Sequence, residues 1–109
     1  MREALWALLM DAARSGRTLT YAEVARSLQL PPPHTIHKAA LLIEDLMHSQ
    51  AASNEPQLAS FVVSKARGGL PAPGFFILAR ELGLYDGAGE GAEARAFVEG
   101  EHERCRSMY

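Results

Sequence analysis

A single cysteine, Cys105, stands among the 109 residues, so no internal disulfide can form and nothing points to secretion. Long apolar runs are missing as well. The segment Ala4–Met10 is bracketed by Glu3 and Asp11, is too short to span a bilayer, and lacks the small-residue cleavage site of a signal peptide. These absences predict a cytoplasmic protein with no membrane partner. No nucleotide-binding loop is present: Gly68–Gly74 lacks the Gly-Lys-Ser/Thr ending of a P-loop and does not follow the Rossmann glycine spacing. Its glycines and prolines read instead as chain-shaping residues, some free to take positive φ and others fixing the approach to a helix. A strong charge of either sign is also missing. Eleven Lys and Arg face thirteen Asp and Glu, a net of −2, which argues against indiscriminate binding to a polyanion. The balance is uneven. From Asp86 onward six acids stand against three arginines, whereas residues 1–85 carry eight bases and seven acids. Between Arg14 and Arg67 there are six bases and four acids, a mild tilt and not a strong basic footprint.

What is present is a succession of helical patterns, enough for one core without metal support. Residues 2–14 carry Leu5, Leu8, Leu9, Ala12 and Ala13 at helical spacing, broadened by Trp6 and Met10, and Ser15-Gly16 closes the segment. Thr20 and Glu23 form a capping-box pattern that starts a second helix, with Val24, Ala25 and Leu28 inward and Arg26 and Gln29 nearer solvent. Pro31-Pro32-Pro33 ends it, because prolines supply no N–H and push the preceding residue out of helical geometry. A third helix is expected from His34 to Gln50, with Ile36, Ala39 or Ala40, Ile43, Leu46 and Met47 inward and His34, Thr35, His37 and Lys38 outward. Glu44 and Asp45, further along it, would repel phosphate, so only its first two turns suit a polyanion.

After a turn at Ser53–Pro56 the period changes to two over Leu58–Ser64, which predicts a strand. The loop Lys65–Gly74 carries two bases, and Phe75, Phe76, Leu78, Ala79 and Leu82 predict a short helix ending at Gly83. Phe75 and Phe76 are adjacent and cannot face one direction, so one is expected in the core and the other at a flank. Gly87–Gly91 reads as a flexible link, and Ala92–Met108 as a helix with a sparse stripe of Ala94, Phe97, Val98, Cys105 and Met108.

Helix, capped helix, proline turn, long helix, strand and basic loop together predict a mainly α protein with a small β component. The expected architecture is a single winged helix-turn-helix-like domain over residues 1–87, with an acidic C-terminal helical extension over 88–109. In that arrangement Thr35, His37 and Lys38 meet DNA from the start of the third helix. Arg17 and Arg26 take phosphates, and Lys65 and Arg67 act from the wing. The expected function is non-enzymatic DNA binding, with a protein-interaction or dimerisation module as the alternative.

Two resemblances bear on this. Thr20-Tyr21-Ala22-Glu23-Val24-Ala25 resembles the Thr-Tyr-Gly-Glu-(Ile/Val)-Ala segment of the O6-alkylguanine-DNA alkyltransferases and alkyltransferase-like proteins, whose DNA-binding domain is a winged helix. Their reactive Pro-Cys-His-Arg motif is absent, and Cys105 lies far along the chain, so the likeness implies no alkyl transfer. A closer similarity is to a small uncharacterised bacterial helix-turn-helix domain. It joins the same start to a Pro-x-Leu-x-x-x-Val-Val-x-Lys stretch and a Gly-Leu-Pro-x-x-Gly-Phe turn, here Pro56, Leu58, Val62, Val63, Lys65 and Gly69–Phe75. That likeness spans roughly residues 18–76 and implies the fold without an activity.

Catalytic and metal patterns are sparse. His34-x-x-His37 supplies two imidazoles but no third ligand at a recognised spacing, and His102-x-x-Cys105 reads as solvent-facing positions in a charged helix. Arg104 and Arg106 are expected to lower the pKa of Cys105, yet no base completes a nucleophilic site. No cofactor or metal is expected. The C-terminal helix has two further expected roles. Its apolar stripe would dock a second copy of the chain as a homodimer, or its acids would cover the basic helix start.

Overall fold

A computed structural model describes residues 1–109. Five α-helices and a two-strand sheet enclose one hydrophobic core: α1 (Arg2–Ser15), β1 (Leu19–Thr20), α2 (Tyr21–Ser27), α3 (Thr35–Ala52), β2 (Val62–Val63), α4 (Pro73–Glu81) and α5 (Gly91–Met108). The protein is thus mainly helical with a small β component, and no helix is long and apolar enough to cross a membrane.

Local chemistry accounts for the first half. In α1, Leu5, Leu9, Ala12 and Ala13 form the buried stripe. Gly16 then takes the left-handed conformation at φ 69°, turning its N–H onto the last carbonyls of the helix. At α2 the Thr20 hydroxyl accepts from the Glu23 N–H at 3.1 Å while the Glu23 carboxylate accepts from the Thr20 N–H at 2.8 Å. Beyond the prolines His34 adopts φ 62° and no side chain caps α3. The prolines and this backbone turn set the phase of α3: Ala39, Ile43, Leu46, Met47 and Gln50 face inward. Ile36, expected inside, is 54% exposed. It lies in the first turn of α3, where it lines an open cleft, whereas the buried face of the helix begins at Ala39.

The second half departs further from local pattern. Leu58–Phe61 is a 3₁₀ turn, and only Val62–Val63 of the expected Leu58–Ser64 strand is extended. Every residue from Pro56 to Val63 is buried, so both faces of the segment are covered and the alternation of residues there marks no inside and outside. The sheet is parallel, with Leu19 opposite Val62 and Thr20 opposite Val63. The helix pair α2–α3 makes the crossover between its strands, as a parallel pair requires. No second strand follows Val63. The expected wing is instead a 3₁₀ turn, Lys65–Arg67, closed by the Ser64 N–H donating to the Leu70 carbonyl at 2.8 Å.

Phe75 and Phe76 are both buried, edge to face with centroids 5.1 Å apart, because α4 lies between α3 and the 84–97 segment and both directions are covered. Gly87–Gly91 is tied down: Arg80 donates to the Gly87 carbonyl, Tyr85 to that of Ala88 and Arg67 to that of Gly89, while the Ala88 N–H donates to Glu93. The segment 88–109 is not a separate extension. Ala94, Val98 and Cys105 of α5 belong to the same core cluster as Leu5, Phe61 and Phe76, and it is Met108, expected in the stripe, that is left exposed.

Candidate nucleic-acid interface

The widest concavity beside the α2–α3 helix pair is a cleft of about 650 Å³ between the start of α2, the first turns of α3 and the segment leaving β2. Ile36 and Ala40 of α3, Val63 of β2 and Ala72 give it an apolar lining, with Tyr21, Glu23, Arg26 and Lys65 as its polar groups. Tyr21 is a strut: its hydroxyl accepts from the Ala72 N–H at 3.2 Å and so ties α2 to the loop ahead of α4. Burial raises the pKa of this phenol, against the opposing effect of the Ala72 hydrogen bond. Glu23 lines the cleft with its carboxylate engaged in the cap. The Thr20 N–H hydrogen bond, the Thr20 hydroxyl, and the nearby Arg26 and Lys65 hold it below the usual carboxylate range.

The seven residues expected to touch DNA separate into three groups. Arg26 and Lys65 are exposed, have no hydrogen-bonding or ion-pair partner within the protein, and line this one cleft from different elements. Thr35 and His37 stand in the first turn of α3, Thr35 half-buried and His37 exposed. The remaining three have internal partners. Arg17 pairs with Asp11 at 2.6 Å on the surface, both side chains remaining more than half exposed. Lys38 donates to the Pro31 carbonyl at 2.7 Å and braces the proline corner. Arg67 is half-buried and donates to the carbonyls of Pro71 and Gly89, stapling its own loop to the segment before α5. The sequence could not reveal the engagements of Lys38 and Arg67, since a carbonyl partner leaves no signature in residue type.

The apolar members of the cleft, Ile36, Ala40 and Val63, were not anticipated; the only sequence signal was a β-branched residue in the otherwise polar start of the third helix. A buried polar network was also missed. Gln50 and Gln57 are fully buried, Gln50 accepting from the Leu58 N–H at 2.9 Å and Gln57 donating to the Met47 carbonyl at 3.2 Å. The Glu101 carboxylate, buried in α5, accepts from the Gln57 N–H at 3.0 Å and from Arg104 at 2.7 Å. His102 lies on Phe61 with ring centroids 4.0 Å apart and its Nε2 is 2.8 Å from the Ser60 carbonyl oxygen.

His102 and Cys105 therefore do not face solvent together. Cys105 is fully buried, and burial pushes its thiol up to about 12, outweighing the Arg104 and Arg106 charges expected to lower it. Such a thiol is protonated and enclosed, unsuited to nucleophilic attack. His34 and His37 have no cluster of further His, Cys, Asp or Glu side chains around them. Two acids of α5 pair within the helix, Glu101 with Arg104 and Glu103 with Arg106, Glu93 accepts from the Ala88 N–H, and none pairs with the start of α3. Of its apolar stripe, offered by the sequence as a docking face for a second copy, Ala94, Val98 and Cys105 lie in the protein's own core.

Compared with protein-family models, with curated proteins and with solved structures, the chain matches none. The likeness to helix-turn-helix domains rests on the residues quoted above.

Proposed function

We propose that this protein is a non-enzymatic DNA-binding domain that seats a polyanion across the α2–α3 corner. One observation carries the reading. Arg26 and Lys65, thirty-nine residues apart in sequence, are both free of internal partners and flank a single cleft beside the first turns of α3. Unpaired cations brought together from separate elements are what phosphate contact requires, whereas cations held by carbonyls serve the fold. Arg26 and Lys65 take the phosphates, and Thr35 and His37 lie where the second helix of such a pair approaches base edges. Arg17, Lys38 and Arg67 support the surface without being its principal contacts.

A salt titration of binding to mixed-sequence duplex tests this. Affinity is expected to fall as salt rises, and R26A/K65A is expected to reduce the slope of log K against log salt by about 1.8, which is about 0.9 for each phosphate that is no longer neutralised. An unchanged slope removes the surface. A second reading, a protein-interaction module without nucleic-acid binding, is favoured by the apolar lining of the same cleft. No retention of DNA or RNA at low salt would select it.

A further inference from the structure

We propose that Ile36 reads the C5-methyl group of thymine, so that the preferred ligand is a duplex with a thymine at the position Ile36 meets. This rests on the DNA-binding reading above and adds to it the chemistry of base selection. Five large apolar side chains are exposed: Met1, Ile36, Leu41, Ile77 and Met108. Ile36 alone among them lines a cleft whose cations have no internal partner. Ile77 shares its cleft with Arg67 and Arg80, both bound to carbonyls, and Met108 shares its own with Arg104, bound to Glu101.

Position then narrows the role. Arg26 projects from α2 and Lys65 from the segment after β2, so phosphates seated on them are held from two elements of the cleft, with Ile36 lining it as well. The two cations outnumber Glu23, the single carboxylate of the lining, which is engaged by the Thr20 N–H. Charge therefore favours an anionic ligand, while the apolar side chain must meet something other than phosphate. Isoleucine has no donor or acceptor and a stiff, branched stem, so it cannot read the hydrogen-bond pattern of a base pair. The apolar group on the major-groove edge of DNA is the methyl of thymine. Ala40, one turn further along α3 in the same lining, is small enough to let the duplex approach.

Fluorescence anisotropy with the full chain tests the assignment, using an alternating A·T duplex and the same duplex carrying deoxyuridine for every thymidine. Wild type is expected to bind the thymidine duplex about fourfold more tightly, which corresponds to about 0.8 kcal/mol for one buried methyl. I36A is expected to bind the two duplexes alike and to keep the wild-type salt slope, since Arg26 and Lys65 remain. Equal binding of both duplexes by wild type, or a preference that survives in I36A, overturns the role of Ile36 and leaves the phosphate surface standing. Failure of wild type to bind either duplex, or mixed-sequence DNA at low salt, overturns the DNA-binding reading itself.

Discussion

Packing against Phe61 gives His102 a protonation behaviour unlike that of an imidazole in water. Burial, the largest influence, lowers its pKa, and Arg106 acts in the same direction; the Ser60 hydrogen bond, Glu99 and Glu101 oppose them without prevailing. The folded protein consequently binds a proton at His102 less readily than the unfolded chain, whose imidazole titrates near 6.5. The sign follows from linkage. The contribution of the neutral ring is fully present above the unfolded value and is lost as pH falls from there through the lower folded value. Urea denaturation followed across that window is expected to show stability falling on acidification. H102N is expected to flatten that dependence while lowering stability at neutral pH, because the ring no longer stacks on Phe61. An identical pH slope in the variant would contradict the assignment.

The elements are joined as much by buried polar groups as by apolar packing. Glu101 of α5 accepts the Gln57 N–H, and Gln50 of α3 accepts the Leu58 N–H, so two helices hold the entrance of the 3₁₀ turn. A carboxylate removed from this place strands a buried donor, a larger loss than the net worth of one hydrogen bond. E101A is accordingly expected to destabilise the fold by about 1.5–3 kcal/mol, whereas E101Q, which keeps an acceptor oxygen, is expected to recover much of that. Equilibrium unfolding in urea measures both. Equal losses in the two variants would mean that the ion pair with Arg104, not the hydrogen bond to Gln57, matters at this position. This network was illegible in the sequence because glutamines at 50 and 57 look like surface residues until a neighbouring backbone segment is known to need acceptors there. Half of the candidate site was similarly hidden. Arg26 read correctly as exposed from its place on the capped helix, yet nothing near Arg67 announced the Gly89 carbonyl that engages it.

For the whole molecule, the decisive feature is that α5 closes the core instead of trailing from it. Ala94, Val98 and Cys105 lie against the interior that α1 and the 3₁₀ turn also line. Removing residues 88–109 is therefore expected to expose Leu5 and Phe61 and to abolish the cooperative thermal transition, observed by circular dichroism as loss of a sharp unfolding step. A truncated chain that melts as sharply as the full one would show that 1–87 folds alone. Apart from the buried Glu101, the acids that made the segment look like a tail lie on its outer face, while the sparseness of its apolar stripe conceals how completely three small or medium side chains are enclosed.

Within four or five residues, the sequence by itself determined a great deal. It set the stripe of α1, the reciprocal Thr20–Glu23 cap, the proline break and the long third helix, because capping and helical periodicity are interactions between near neighbours. Only the tertiary structure decided that Leu58–Phe61 would coil with both faces covered, that Ile36 would stand outside, and that Arg26 and Lys65 would remain free while Arg17, Lys38 and Arg67 would not. The reason is one of range. A segment's second covered face comes from residues far along the chain, as when Glu101 reaches Gln57 or Arg67 reaches Gly89. Even the nearer partners of Arg17 and Lys38, Asp11 and the Pro31 carbonyl, are brought within reach by turns and not by helical periodicity.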